Sequence, residues 1–244
     1  IFGIFKFHFT TSGDNAVSTS DSDGDGIPDY VQNMAIVFNE VYEKINGINS
    51  GQMGFTRPPS DGVIGGGSDL YDIYIFELEP GIYGWVEGES ESSTSQTGVI
   101  QNGDNEYSTS IIELNAGYSY MAMRNNYSSF LPEVESEAIK ATAAHEFFHA
   151  VQEGYDRWEK AWISEATAAW IEDEVYDDIN NNYQYLPDWF KEPHIALNYD
   201  YSVESGSSIN GEENEDHWYG SWIFFRYISE NMKPTSGVNL SGYK

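Results

Sequence analysis

The chain reads as an α+β protein, an N-terminal mixed sheet with helices followed by a mainly helical C-terminal lobe. Three observations predict this. Strand-like alternation of apolar and polar residues recurs in the first half, at residues 1–9, 70–76, 110–114 and 118–123. From Glu133 onward the apolar residues fall instead on one face of a helix. The chain's 244 residues, 40% hydrophobic and 16% aromatic, are enough to build a real core and argue against disorder.

Taken in order, an N-terminal strand leads through an acidic loop into an amphipathic helix over 28–45, with Val31, Met34, Val37, Phe38 and Val41 on its apolar face. A polar turn precedes the strand at 70–76. Residues 88–110, rich in Ser, Glu, Gly and Asn, read as a mobile loop or ragged hairpin at a cleft edge. A helix over 133–154 carries Ile139, Ala143, Phe147, Ala150 and Val151 as its stripe, with Gly154 as its C-terminal stop. A second helix covers 161–172, and residues 177–186 read as a loop. A final helix over 215–230 buries Trp218, Trp222, Phe225 and Ile228. The two subdomains are drawn at 1–155 and 156–244, as one working unit.

The loop Asp21-Ser22-Asp23-Gly24-Asp25-Gly26-Ile27-Pro28-Asp29 alternates carboxylates with residues that permit a tight turn. Against the spacing of an EF-hand loop, Asp21, Asp23 and Asp25 take positions 1, 3 and 5. Gly26 takes 6, Ile27 offers its carbonyl at 7, and Asp29 takes 9. Hard oxygen donors at that spacing suit Ca2+. Position 12 is Gln32 rather than a bidentate Glu.

The residues His145-Glu146-Phe147-Phe148-His149 carry the chemistry. Two histidines four apart lie on one helix face, so both imidazoles can reach one ion. Glu146 is placed as the base toward a metal-activated water. A third ligand, Glu165, comes from the helix that follows. Small residues at 141–144 let neighbours pack closely around the histidines. A metzincin would need Gly and His where Gln152 and Tyr155 stand, which removes that alternative.

Up to this point the chain resembles the gluzincins, the thermolysin-like zinc peptidases. The match rests on His145-Glu146-x-x-His149 and on Trp162-Ile163-Ser164-Glu165-Ala166-Thr167-Ala168, with Ala166 where the family often has Gly. The acidic loop is similar to one that secreted microbial metalloproteases carry ahead of the catalytic motif. The resemblance implies a zincin-like fold and Zn2+ on His145, His149 and Glu165. Glu172, on the same face as Glu165, is the rival ligand and otherwise supports a ligating histidine. An oxyanion donor is expected from His217-Trp218-Tyr219-Gly220-Ser221-Trp222. Tyr219 and His217 stand about 200° apart on a helix, so one of them faces the site, and Tyr219 is preferred.

The formal charge of −29 argues against nucleic acid and against anionic membrane surfaces. It suits a saline or calcium-rich setting. No apolar run reaches the roughly 18 residues that span a membrane. With no cysteine, disulfides and thiolate ligands are excluded. The chain opens at Ile1 inside an apparent strand, so a processed or trimmed piece of a longer protein is expected. His8 and His194 are expected at the surface without partners, and Arg226 beside an acid. The expected protein is a monomeric, secreted, calcium-stabilised zinc endopeptidase acting on protein or peptide. The alternatives are an inactive calcium-dependent adhesion module on the same fold and a zinc hydrolase of non-peptide substrates.

Overall fold

A computed structural model describes residues 3–60, 66–88, 101–108, 112–128, 134–199 and 216–232. Its elements are β1 (Phe5–His8), α1 (Asp29–Asn46), β2 (Tyr71–Phe76), β3 (Gly84–Gly88), β4 (Gln101–Gly103), β5 (Ala116–Gly117), β6 (Ser119–Arg124), α2 (Glu135–Asp156), α3 (Ala161–Val175), a 3-10 turn (Asn181–Tyr185), α4 (Leu186–Lys191), α5 (Asp216–Gly220) and α6 (Trp222–Asn231). The main sheet runs β1-β2-β6-β3. The pairs β1/β2 and β2/β6 are parallel, and β3 alone runs antiparallel, with Gly84 opposite Met123 and Val86 opposite Met121. The short β4 and β5 pair separately.

The sheet packs against α1 and α2. Phe5 on β1 sits 5.4 Å from the rings of both Phe38 on α1 and Phe147 on α2, which joins the three elements at one aromatic node. The predicted stripe of α1 is buried throughout. On α2 burial is not confined to one stripe: Ala138, Ile139 and every residue from Ala141 to Phe148 are buried, so it is the central helix of the molecule. The small residues before His145 serve that position, because a helix enclosed on several sides needs short side chains where neighbours cross. One hydrophobic core runs from Phe5 to Trp222 and includes residues of α3. No described helix is long and apolar enough to cross a membrane.

The structure departs from the sequence reading in several places. Gly154 does not stop α2, which runs on to Asp156. A Cβ there would lie 2.9 Å from Asn105 Nδ2 and 3.0 Å from Pro59 Cδ, so this glycine serves close packing. Residues 112–114 are not a strand, and 110–111 lie outside the described residues, as does most of 88–110. The strand β3 carries no clear alternation and was not expected. Residues expected as loop form the 3-10 turn ending at Tyr185, continued by α4. The final helix is broken at Ser221, whose hydroxyl donates to the His217 carbonyl at 2.8 Å and accepts from Trp189 Nε1 at 3.1 Å. Trp218 and Trp222 are buried as expected, Phe225 and Ile228 only half-buried. His194 is exposed, but His8 has partners: Asp72 Oδ1 lies 2.6 Å from its Nε2, and its ring stacks on Tyr74 at 4.4 Å. Arg226 pairs with Asp173 and Glu230.

Candidate metal centre

The packing of α3 on α2 brings His145, His149 and Glu165 together, with one ligand atom from each inside a circle of 4.8 Å. Both Nε2 atoms face the same carboxylate oxygen, Glu165 Oε2, at 3.2 Å from His145 and 3.5 Å from His149. The rings stand edge to face with centroids 4.7 Å apart. Two imidazole nitrogens and one carboxylate oxygen, converging with their backs held by hydrogen bonds, form a donor set that fits Zn2+.

Helical spacing puts Glu165 and Glu172 on one face of α3, but the two meet different atoms. Glu172 Oε1 lies 2.6 Å from His145 Nδ1, on the far side of the ring from Glu165. It therefore lies behind the His145 ring, away from the Nε2 that faces Glu165. His149 is held from behind by Gln152 Oε1 at 2.8 Å and Ser164 Oγ at 3.1 Å from its Nδ1. In the sequence, Gln152 stands where a metzincin would have Gly. Its spacing, one turn after His149, was the available signal.

The electrostatics follow from burial and mutual contact. Burial disfavours the charged form of His145, yet Glu165 and Glu172 hold its pKa well above the usual range. Burial works against the Glu165 carboxylate as well, and His149 and His145 draw it well below its ordinary value. Glu146 is buried beside the triad, and desolvation pushes its pKa up while the two histidines pull it down.

Two cavities flank the triad. One, of about 270 Å³, is lined by Tyr83, Gly84, Thr142, His145, Glu146, Tyr185 and Tyr219 among others. The second, of about 170 Å³, adjoins His149 and Glu165 and is bounded by Val86, Glu153 and Arg157. Strand β3 supplies a residue to each, Gly84 to the first and Val86 to the second. Gly84 allows the close approach: a Cβ there would lie 2.9 Å from Glu146 Cγ and 3.0 Å from Thr142 Cγ2. The strand's entry is anchored by buried Tyr127, whose hydroxyl donates to the Tyr83 carbonyl at 2.7 Å. No sequence pattern announced this edge.

Of the two expected oxyanion donors, the structure places Tyr219 at the site and His217 away from it. The Tyr219 ring stacks on His145 at 5.8 Å and on Tyr185 at 4.9 Å. Burial, with Glu165 nearby, raises its pKa, so the hydroxyl keeps its proton. His217 is 3% exposed, stacks on Trp189 at 6.2 Å, and lines neither cavity.

The N-terminal loop also gathers as spaced, with Asp21, Asp23 and Asp25 converging within 4.8 Å at the surface. Asp29 does not join them. Its carboxylate accepts from the Ser22 amide at 2.9 Å and from the Ser20 and Ser22 hydroxyls, each at 2.7 Å. Those bonds lower its pKa. Gln32 Nε2 reaches Asp23 and Asp25 at 3.2 and 3.0 Å, and the Ile27 amide donates to Asp25.

Comparison with protein-family models, with curated proteins and with solved structures finds no match.

Proposed function

We propose that the protein is a secreted, calcium-stabilised zinc endopeptidase of the gluzincin type. The observation that carries this reading is the buried triad His145, His149 and Glu165 with Glu146 beside it at a cavity wall. A zinc ion held by the triad supplies Lewis acidity, polarising a carbonyl and acidifying water. The rest falls to the chain's own side chains. Glu146, its pKa raised by burial, takes the proton of the attacking water and passes it to the leaving nitrogen. Tyr219 donates its hydroxyl to the developing oxyanion. Among the described residues nothing pairs with the outer edge of β3, so an extended peptide can hydrogen-bond along it. Cavities on both sides of the triad suit a chain that continues in both directions, which favours cleavage within a chain. An inactive module gives no reason for a buried carboxylate in the position of Glu146. The acidic loop supports a Ca2+ site on Asp21, Asp23 and Asp25, as in proteins that work where that ion is abundant.

Glu146→Gln tests the chemistry. The variant should keep its zinc by elemental analysis and its fold by circular dichroism, yet cleave a broad peptide library about 10²–10⁴-fold more slowly. Undiminished turnover would sink the mechanism.

A further inference from the structure

Gln152 lies between a histidine of α2 and the helix that carries Glu165. Its amide makes four hydrogen bonds, and their chemistry permits only one orientation. Nε2 lies 3.0 Å from the main-chain carbonyl of Ser164 and 2.7 Å from Thr167 Oγ1. The carbonyl can only accept. The Thr167 hydroxyl already donates to the Ile163 carbonyl at 2.7 Å, so toward Gln152 it also accepts. The amide nitrogen must therefore face α3, and Oε1 must face His149 Nδ1 at 2.8 Å, where it also receives the Ser164 hydroxyl at 2.8 Å. An oxygen with no proton to give requires a proton on Nδ1. In the neutral ring, the form a metal ligand must take, that leaves the lone pair of His149 on Nε2, the nitrogen that faces Glu165 Oε2.

His145 reaches the same tautomer through a carboxylate, Glu172. His149 reaches it through a neutral amide, and the amide does what a carboxylate cannot. It accepts from the ring at one end and donates to α3 at the other, one residue from Glu165. It also adds no negative charge to a site that already holds Glu146, Glu165 and Glu172, with Glu153 on the wall of the cavity beside His149.

Resting on the metal-centre reading above, we propose that Gln152 is a positioning residue for the centre. It sets the tautomer of His149 and, through Ser164 and Thr167, the register of the Glu165 helix against α2. Residues placed in this way behind a ligand typically contribute a factor of about 10–100 in metal affinity.

The test is zinc affinity, by competition with a chromophoric chelator, together with the visible spectrum of the cobalt(II)-substituted protein. Gln152→Leu should bind zinc about 10–100-fold more weakly and alter the cobalt bands. Gln152→Glu keeps an acceptor for Nδ1 but sets oxygens against the Ser164 carbonyl and Thr167 Oγ1, so it should also lose affinity. Thr167→Val should lose less, and should cost nothing further once Gln152 is Leu, because Thr167 acts through the amide. Wild-type zinc affinity and cobalt spectrum in Gln152→Leu would overturn the role, and additive losses in the double variant would overturn the bridge. If Gln152→Leu does not fold, Thr167→Val decides alone: unchanged affinity there overturns the bridge. A wild-type chain that takes up no zinc would instead remove the metal centre itself, a result separable from all of these.

Discussion

His145, His149 and Glu165 stand on two packed helices, while Asp21, Asp23 and Asp25 stand on an exposed loop. In the first group the backbone is satisfied by the helices, and the side chains are held by other side chains, Glu172 and Gln152. In the second the carboxylates themselves shape the backbone. Asp21 accepts from the Gly24 and Gly26 amides at 2.8 and 3.0 Å, and Asp25 from that of Ile27 at 2.8 Å. Gly24 and Gly26 turn the loop at φ of +75° and +91°, a region other residues rarely adopt. The difference teaches where each cation's effect should be felt. If the triad holds a metal as proposed, a centre on packed helices stays organised without its ion, so metal loss should be a loss of chemistry. If the loop holds calcium as proposed, carboxylates bent together repel one another once the ion leaves, so ion loss should be a loss of stability. The loop also leads directly into α1, with the Asp29 amide bonded to the Ser20 carbonyl at 2.7 Å, so that loss reaches the core.

The largest effect that could break this contrast belongs to Glu165→Ala. Elemental analysis should show zinc binding reduced by more than the about 100-fold attached to a supporting residue, while the zinc-free variant should still unfold as a cooperative folded chain, at a Tm lowered by the lost pairing with the two histidines. Full zinc occupancy would transfer the ligand role elsewhere, and a collapsed fold would show that the helices are not rigid without it.

A smaller effect is expected at the loop. A site held at 100 times its dissociation constant stabilises by about 2.7 kcal/mol, so chelating calcium should lower Tm by roughly 5–10 °C for a chain of this size. Sodium chloride at equal ionic strength should restore only part of it. Asp23→Ala with Asp25→Ala should remove the calcium-specific part and keep the salt response. If monovalent salt restores full stability to the wild type, the loop is an acidic turn, and screening accounts for the charge.

The smallest effect sharpens the contrast through a buried carboxylate whose cation is a side chain. Burial pushes Asp173 up to about 6, with Arg226 at 2.8 Å pulling the other way. Between pH of about 4 and 6 the folded chain thus keeps a proton that the unfolded chain releases, so this group's contribution to stability falls as pH rises through that window. Asp173→Asn should flatten that slope in pH-dependent urea unfolding at fixed salt. An unchanged slope would mean that Asp173 titrates as it does in the unfolded chain.

Much of this was legible in the residues because it depends on local spacing. The period of the α-helix decides that His145 and His149 share a face and that Glu146 lies beside them, whatever packs around them. Alternation along nine residues likewise gathers Asp21, Asp23 and Asp25. Asp29 is held by an equally local pattern: serines at 20 and 22 offer its carboxylate three donors before any cation is considered. Gly154 was misread because a packing glycine and a capping glycine look alike in a sequence.

The sequence by itself determined one helix with two histidines and a base, a second helix with two candidate carboxylates, an acidic loop and a charge of −29. Only the tertiary structure decided that Glu165 meets Nε2 while Glu172 meets Nδ1, and that Tyr219 rather than His217 faces the cavity. It alone brought Gly84 against Glu146 and seated Gln152 between His149 and α3. The physical reason is common to all four. A helix's own geometry fixes which residues share a face, but the angle and height at which one element packs on another come from burying side chains distant in sequence, and that choice selects the atoms that meet.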